Sequence, residues 1–350
     1  MKGPSMGKIK ILVVDDSSFI RGVISEMLGS DINLSVIDTA SDGKEAIQKV
    51  MDLNPDVITL DVIMPDMDGL TALDNIMKKC PTPVIMISAI AKAEAEITFR
   101  ALELGAVDFI TKPTEVDAKL LKSIQEELIK KVKIAAQVNK TKLKSLYPSN
   151  VARERIFLSS KPAKKVVAFG ISTGGPRALM EVLSQFPPDL PAGVLIAQHM
   201  PPFFVQPFMN HLSERCAIQV KEADTGNMVG NSSVLLAPKD FTIKLEKVEE
   251  NGVIRLSREN SPYKIKPYID LMMKSAAKVY GRKSIGVLMT GMGRDGVEGI
   301  RAIKKAGGKT LAQDEASSVI FGMAKAAIEE GLIDKVVPLE QIADEIMKML

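Results

Sequence analysis

Short apolar runs alternate with amphipathic stretches through the first third of the chain. Ile9–Val14, Leu34–Thr39, Val57–Leu60, Val84–Ile87 and Phe109–Thr111 are brief and mostly rich in Val and Ile, which predicts five strands. Helices are expected near 17–28, 43–53, 69–78, 93–103 and 115–137. This alternation predicts a parallel sheet covered on both faces, and five strands fit the flavodoxin-like order. In the last helix Leu120, Leu121, Ile124, Leu128 and Val132 form one apolar stripe. From about 138 to 162 the chain is polar and basic with no sustained period, which reads as a linker.

A second set of strand–turn–helix units follows at 166–185, 194–214 and 284–306, with a shorter strand at Thr310–Gln313. Thr242–Val248 and Val253–Arg258 read as an inserted hairpin turning at Asn251-Gly252, because Asn-Gly tolerates positive φ. Pro267 can start a helix reaching about Tyr280. The expected architecture is α/β throughout. A flavodoxin-like domain at 8–125 precedes a helical extension and basic linker at 126–162. A doubly wound, mainly parallel α/β domain occupies 163–350.

Composition narrows the setting. With 46% hydrophobic and only 4% aromatic residues, the cores must be aliphatic. Cys80 and Cys216 are isolated and lack metal-ligand spacing, which fits packed thiols in a reducing compartment. No apolar stretch is long enough to span a membrane, and the N-terminus has no apolar signal core. A cytoplasmic protein without membrane insertion is expected. The net charge of +3 hides an asymmetry: residues 1–120 hold 12 basic and 19 acidic side chains, and residues 121–165 hold 12 and 3. The basic stretch lacks interleaved aromatics or a nucleic-acid reading motif, so no nucleic-acid partner is expected. No sustained heptads occur, and a monomer is expected.

In parallel sheets, strand carboxyl ends share one edge. Asp15 and Asp16 end the first strand, Asp61 the third, Ser88 the fourth and Lys112 the fifth. Three gathered carboxylates repel one another unless a cation joins them. Mg²⁺ suits such an oxygen-rich site and leaves room for a phosphoryl group. Lys112 would neutralise that group, Ser88 would hydrogen-bond it, and Asp61 would be the nucleophile that becomes an aspartyl phosphate. Taken singly, any of these aspartates is equally explained as a strand-end cap.

The second set of strand ends carries different chemistry. Gly170-Ile171-Ser172-Thr173-Gly174 has the spacing of a nucleophile elbow, although a phosphate-cradling loop shares that pattern. His199 and Asp295 follow the strands of the next two strand–turn–helix units. His211, the other histidine, is expected on a helix surface. The trio predicts a triad in which Ser172 attacks an acyl carbon, His199 shuttles its proton and Asp295 orients the imidazole. Backbone N–H groups of Thr173 and Met292 are the expected oxyanion donors.

Over roughly residues 8–125, Asp15-Asp16, Asp61, Ser88-Ala89 and Lys112-Pro113 resemble the response-regulator receiver family. That resemblance implies Mg²⁺-dependent phosphotransfer from a chemotaxis histidine kinase to Asp61. It also implies a switch in which Ser88 moves and the aromatic Phe109 rotates. The order serine, histidine, aspartate departs from ordinary α/β-hydrolases. With Gly170–Pro176, Gln198–Pro201, Met289–Gly296 and Gln313–Ser318, the chain resembles the chemotaxis receptor methylesterases, the CheB family, over nearly its whole length. Ile63 and Ile171 depart from the residues most expected there. The resemblance implies hydrolysis of glutamate γ-methyl esters on chemoreceptors, with methanol released and glutamine deamidation as a companion activity. It implies no cofactor for that hydrolysis. An unphosphorylated receiver is expected to occlude Ser172. The competing readings are a phosphorylation-controlled adaptor without catalysis and a receiver-regulated esterase or amidase with another substrate. A DNA-binding output is disfavoured, since 166–350 show no basic helix-turn-helix. The Gln313–Ser318 loop fits either a cleft wall or structural support.

Overall fold

The computed structural model describes residues 7–88, 92–113, 118–138, 140, 161–200, 204–238, 240–259 and 267–350, with the side chains of 92–95 and 118–120 outside that set. Most of the expected linker, Ala89 and Pro201 therefore lie outside the described residues. The chain divides into two compact units, Met1–Pro148 and Ser149–Leu350.

The first unit has β1 (Ile9–Val14), α1 (Ser18–Gly29), β2 (Leu34–Ala40), α2 (Gly43–Leu53), β3 (Val57–Asp61), α3 (Gly69–Lys79), β4 (Val84–Ser88), α4 (Lys92–Glu103), β5 (Asp108–Thr111) and α5 (Ala118–Ala135). Its strands form one parallel sheet in the order β2-β1-β3-β4-β5. This is the flavodoxin-like order expected from the alternation. β3 and β4 are buried along their whole length, as apolar runs covered on both faces should be. Asp42 and Asp68 cap α2 and α3 by accepting from backbone N–H groups in their first turns. Ile124, Leu128 and Val132 of α5 are buried. Lys131 and Lys133 of the same helix pair with Asp108 and Asp31.

The second unit opens with β6 (Val166–Ile171), α6 (Gly175–Leu183), β7 (Gly193–Gln198), α7 (Val205–Arg215), β8 (Gln219–Glu222) and β9 (Ser233–Leu236). The hairpin β10 (Thr242–Val248) and β11 (Asn251–Ser257) leads to α8 (Ile269–Tyr280). The chain continues through β12 (Ser284–Leu288), α9 (Val297–Lys305), β13 (Lys309–Gln313), α10 (Met323–Glu329), β14 (Lys335–Val337) and α11 (Ile342–Met349). Seven strands pair in parallel in the order β14-β13-β12-β6-β7-β9-β8. From β6 the chain runs to β7 on one side, while β12 flanks β6 on the other. The carboxyl ends of β6 and β12 therefore border a topological switch point, where ligands bind in such sheets. Beneath it, Ile269, Met272, Met273, Leu288, Val297 and Ile300 belong to one buried cluster.

Two expectations are corrected. His211 is buried, not on the surface, and Arg215 Nη1 lies 3.3 Å from its Nδ1. It shares the inward face of α7 with Phe208 and Leu212, at helical spacing. The hairpin does not turn at Asn251-Gly252. Val248 pairs with Asn251 and Lys247 with Gly252, so Glu249-Glu250 forms the loop, with Glu249 at φ 54°. This register sets Leu245 opposite Ile254 and Ile243 opposite Leu256. A turn at Asn251-Gly252 would instead put buried Ile254 opposite Glu249, and burial outweighs turn propensity. Gly252 has another reason to be glycine: a Cβ there would lie 2.5 Å from Tyr280 Oη.

Gly252→Ala is therefore expected to destabilise the second unit by about 1–3 kcal/mol through overpacking. Asn251→Ala should have little effect. Trimming Tyr280 to Ala in the Gly252→Ala background should remove most of the penalty specific to the glycine, read as a double-mutant cycle in urea. A large loss in Asn251→Ala alone would restore the turn explanation.

Candidate active site

At the edge of the first sheet, Asp15, Asp16 and Asp61 bring carboxylate oxygens within 4.8 Å of one another. Lys112 Nζ lies 2.7 Å from Asp61 Oδ2 and 2.9 Å from Asp15 Oδ2. Backbone details hold this cluster in place. Ser17 N–H donates to Asp15 Oδ1 at 2.9 Å, and Arg21 Nη1 donates to the carbonyls of Asp15 and Asp16. Arg21 escaped the sequence reading because a helix-surface arginine carries no signal of its carbonyl partners. Burial pushes the Asp61 carboxyl up to about 6, Lys112 opposes the shift, and neighbouring Asp15 adds to it. Burial likewise raises Asp15 against the pull of Lys112. Burial disfavours the charged form of Lys112, but its hydrogen bonds to Asp61 and Asp15 prevail and raise it. The cluster is thus a hard-oxygen donor set in which the buried Asp15 and Asp61 carry poorly solvated charge beside an exposed Asp16, and that fits a small divalent cation such as Mg²⁺.

Ser88 is buried at the end of β4, and Lys112 N–H donates to its carbonyl at 2.7 Å. Phe109 is also buried. It meets Phe99 edge-on at 6.0 Å and lies 5.1 Å beneath Lys131 Nζ.

At the edge of the second sheet, Ser172, His199 and Asp295 come together. His199 Nδ1 lies 3.3 Å from Ser172 Oγ, and Nε2 lies 3.1 Å from Asp295 Oδ2. The ring nitrogens are used in the reverse of the serine-protease order, so general-base chemistry here needs the proton on Nε2. Asp295 is held from behind: Ile269 N–H donates to Oδ2 and Asp270 N–H to Oδ1, both at 3.0 Å. These amides belong to the N-terminus of α8, a favourable place for a carboxylate.

Asp270 returns the arrangement. Its Oδ1 accepts from Gly296 N–H at 2.9 Å and Gly299 N–H at 2.7 Å, at the start of α9. Burial raises the Asp270 carboxyl, the Gly299 amide opposes that, and Asp295 adds to it. Asp270 was missed because its sequence neighbourhood resembles an ordinary helix start.

The turn after β6 is not a strained elbow. Ser172 is not among the residues with positive φ, and Gly174 takes that conformation at φ 76°. A Cβ at Gly174 would also lie 2.7 Å from the Val319 side chain. The carbonyl of Ser172 accepts from Gly175 N–H and Gln198 Nε2, each at 2.9 Å. The carbonyl of Gly291 accepts from Gly322 N–H at 3.1 Å and Met323 N–H at 2.9 Å. A trans peptide points its N–H opposite its C=O. The N–H groups of Thr173 and Met292 therefore face away from these anchors, and neither makes a hydrogen bond among the described residues. Met292 is 47% exposed and Thr173 is buried. Gln313 serves as support: its Oε1 accepts from Thr290 N–H, and its Nε2 donates to the Ser317 carbonyl. Thr290 Oγ1 in turn donates to the Thr173 carbonyl at 2.9 Å.

Comparison with known proteins finds two families along the chain. The CheB methylesterase family matches residues 167–346, and the response regulator receiver domain family matches residues 11–125. A protein-glutamate methylesterase/protein-glutamine glutaminase of Pyrococcus horikoshii is 47% identical over 99% of this chain and 95% of its own length. One of the same name from Caldanaerobacter subterraneus is 42% identical over 97% of this chain and 96% of its own. The crystal structure of the Thermotoga maritima CheB methylesterase catalytic domain superposes with a TM-score of 0.52 at 35% identity, covering 53% of this chain and 98% of that one. No described helix is long and apolar enough to cross a membrane.

The acidic cluster generates a pH prediction. Because the folded Asp61 binds its proton more tightly than an unfolded aspartate, its contribution to stability is full below the ordinary value of 3.8 and is lost as pH rises through about 6. Without divalent cation, the melting temperature should fall across that window, and Asp61→Asn should flatten the fall. Mg²⁺ should raise the melting temperature more at about pH 7 than at about pH 5, since only the ionised cluster binds it well. Equal Mg²⁺ shifts at both pH values, measured by calorimetry, would contradict this account.

Proposed function

The chain belongs to the CheB methylesterase family and carries a response-regulator receiver domain, and from that membership we propose that it hydrolyses glutamate γ-methyl esters on chemoreceptors and deamidates receptor glutamines, under control of phosphorylation at Asp61. The observation that carries the reading is the hydrogen-bonded run from Ser172 through His199 to Asp295 at adjacent strand ends.

The chemistry follows from that run. Ser172 Oγ attacks the γ-carbonyl carbon while His199 Nδ1 takes its proton. The developing oxyanion is met by the N–H groups of Thr173 and Met292. Collapse breaks the C–O bond, and His199 returns the proton to the departing methanol. Water, activated by the same imidazole, then attacks the acyl-enzyme and regenerates Ser172 with a glutamate product. With an amide substrate the first leaving group is ammonia, and the later step is identical. Asp295 holds the imidazole and balances its transient positive charge.

Control is assigned to the receiver. Asp15, Asp16 and Asp61 would hold Mg²⁺, which supplies charge neutralisation for phosphoryl transfer from a histidine kinase. Asp61 Oδ attacks the phosphorus as its P–N bond to the kinase histidine breaks and the imidazole departs, Lys112 is placed to offset the phosphoryl charge, and Ser88 and Phe109 carry the response. Phosphorylation of the first unit then raises the hydrolytic activity of the second.

Methanol release from methylated chemoreceptor membranes tests the whole reading. Ser172→Ala should abolish it, and Asp295→Asn should lower kcat by about 10⁴-fold. A small phosphodonor with Mg²⁺ should raise wild-type release and leave Asp61→Ala unchanged. A folded, phosphorylated protein that releases no methanol would redirect the reading to an adaptor or another acyl substrate.

A further inference from the structure

We propose that Gln198 is the positioning residue of the oxyanion hole: its side-chain amide aims the Thr173 N–H at the reacting carbonyl. The inference rests on the reading of Ser172 as nucleophile and of Thr173 N–H as oxyanion donor.

Gln198 is the last residue of β7 and is 3% exposed. Its Nε2 donates to the Ser172 carbonyl at 2.9 Å and to the His199 carbonyl at 2.8 Å. Both hydrogens of one amide group are thereby spent on the two loops that carry the nucleophile and the base. The orientation is forced, because turning the amide over would set its oxygen against two carbonyl oxygens.

The other half of this amide shows the constraint. Gln198 Oε1 is buried and has no hydrogen-bond partner among the described residues. It lies 2.0 Å from where a Cβ on Gly175 would stand. The side chain is thus wedged against the backbone at the start of α6, with no room there for any residue but glycine. Buried carbonyl groups are nearly always paired, so an orphan calls for an explanation. A side chain chosen only to fill this space would be apolar and would leave no acceptor stranded. The donor end supplies the explanation.

Fixing the Ser172 carbonyl fixes the peptide plane that it shares with the Thr173 N–H. Gly175 N–H also binds that carbonyl, but it belongs to the same turn and moves with it. Gln198 reaches it from the neighbouring strand, so it ties the plane to the sheet. Met292 does not need this device. The carbonyl before it is held by two amides at the start of α10. The two donors therefore have different anchors, a helix terminus for one and a glutamine side chain for the other.

The test uses the full-length chain with methylated chemoreceptor membranes and compares wild type, Gln198→Met, Gln198→Glu and Ser172→Ala. Methionine keeps the length and removes the donor. Glutamate keeps the shape and donates only when protonated. Gln198→Met should lower kcat by about 10–100-fold, with KM and the pH midpoint of kcat unchanged, since the loss falls on the transition state alone. Gln198→Glu should recover activity relative to wild type as pH falls. Wild-type kcat in a folded Gln198→Met, or a shifted pH midpoint showing that the residue acts on His199, would overturn the proposal. Unfolding of both variants would mark a scaffold role and overturn it too. Turnover retained by Ser172→Ala would instead sink the catalytic reading, and this inference with it.

Discussion

The carboxylate of Asp295 is the point on which the geometry of the second unit's candidate site depends. It accepts at once from the imidazole of His199 and from two amides that open α8. A side chain that caps a helix has its direction set by that helix, so the imidazole inherits its aim from the start of α8. Asp270 reciprocates by accepting from the amides that open α9. Two helix N-termini and two carboxylates lock together, and the loop bearing Asp295 needs no strain of its own. Rigid second-layer support of this kind is what holds catalytic groups within a fraction of an ångström.

The first unit uses the same topology with opposite electrostatics. Its strand-end carboxylates are gathered where burial makes negative charge unfavourable, and Lys112 is the close cation that faces them. In one unit the carboxylate's partners are built into the backbone. In the other the cation is a lysine side chain, and the three carboxylates form an oxygen donor set that could hold a metal ion. Parallel sheets permit both, because their carboxyl edges collect side chains from distant sequence positions.

Much of this was legible in the chain. The five strands of the first unit, their flavodoxin-like order, and the convergence of Ser172, His199 and Asp295 followed from short apolar runs ending in polar residues, whereas β8, β9 and β14 were not foreseen. Such signals are local, and topology does the rest. The hairpin turn was misread because Asn251-Gly252 has a strong local signal, while its true register is set by Leu245 facing Ile254 across the pair. His211 was misread because a polar residue on a helix was assigned by type, although its spacing from Phe208 and Leu212 put it inside. Arg21, Gln198, Asp270 and Thr290 stayed hidden for one common reason. Each acts on backbone groups far away in sequence, and a backbone carbonyl or amide leaves no letter in the chain to be paired with.

That asymmetry has a physical consequence for how the second site tolerates change. Residues that touch the reacting atoms act through their own functional groups, so substitution removes a chemical step. Residues such as Gln198 and Thr290 act through peptide planes, so substitution leaves every reacting group present and alters only where it points. Misaimed donors still bind a ground-state carbonyl in passing but miss the oxyanion as it forms, which separates kcat from KM. On the proposed role of Gln198, its orphaned Oε1 is the local cost against which this aim is held. A core residue selected for packing alone would have no reason to carry it.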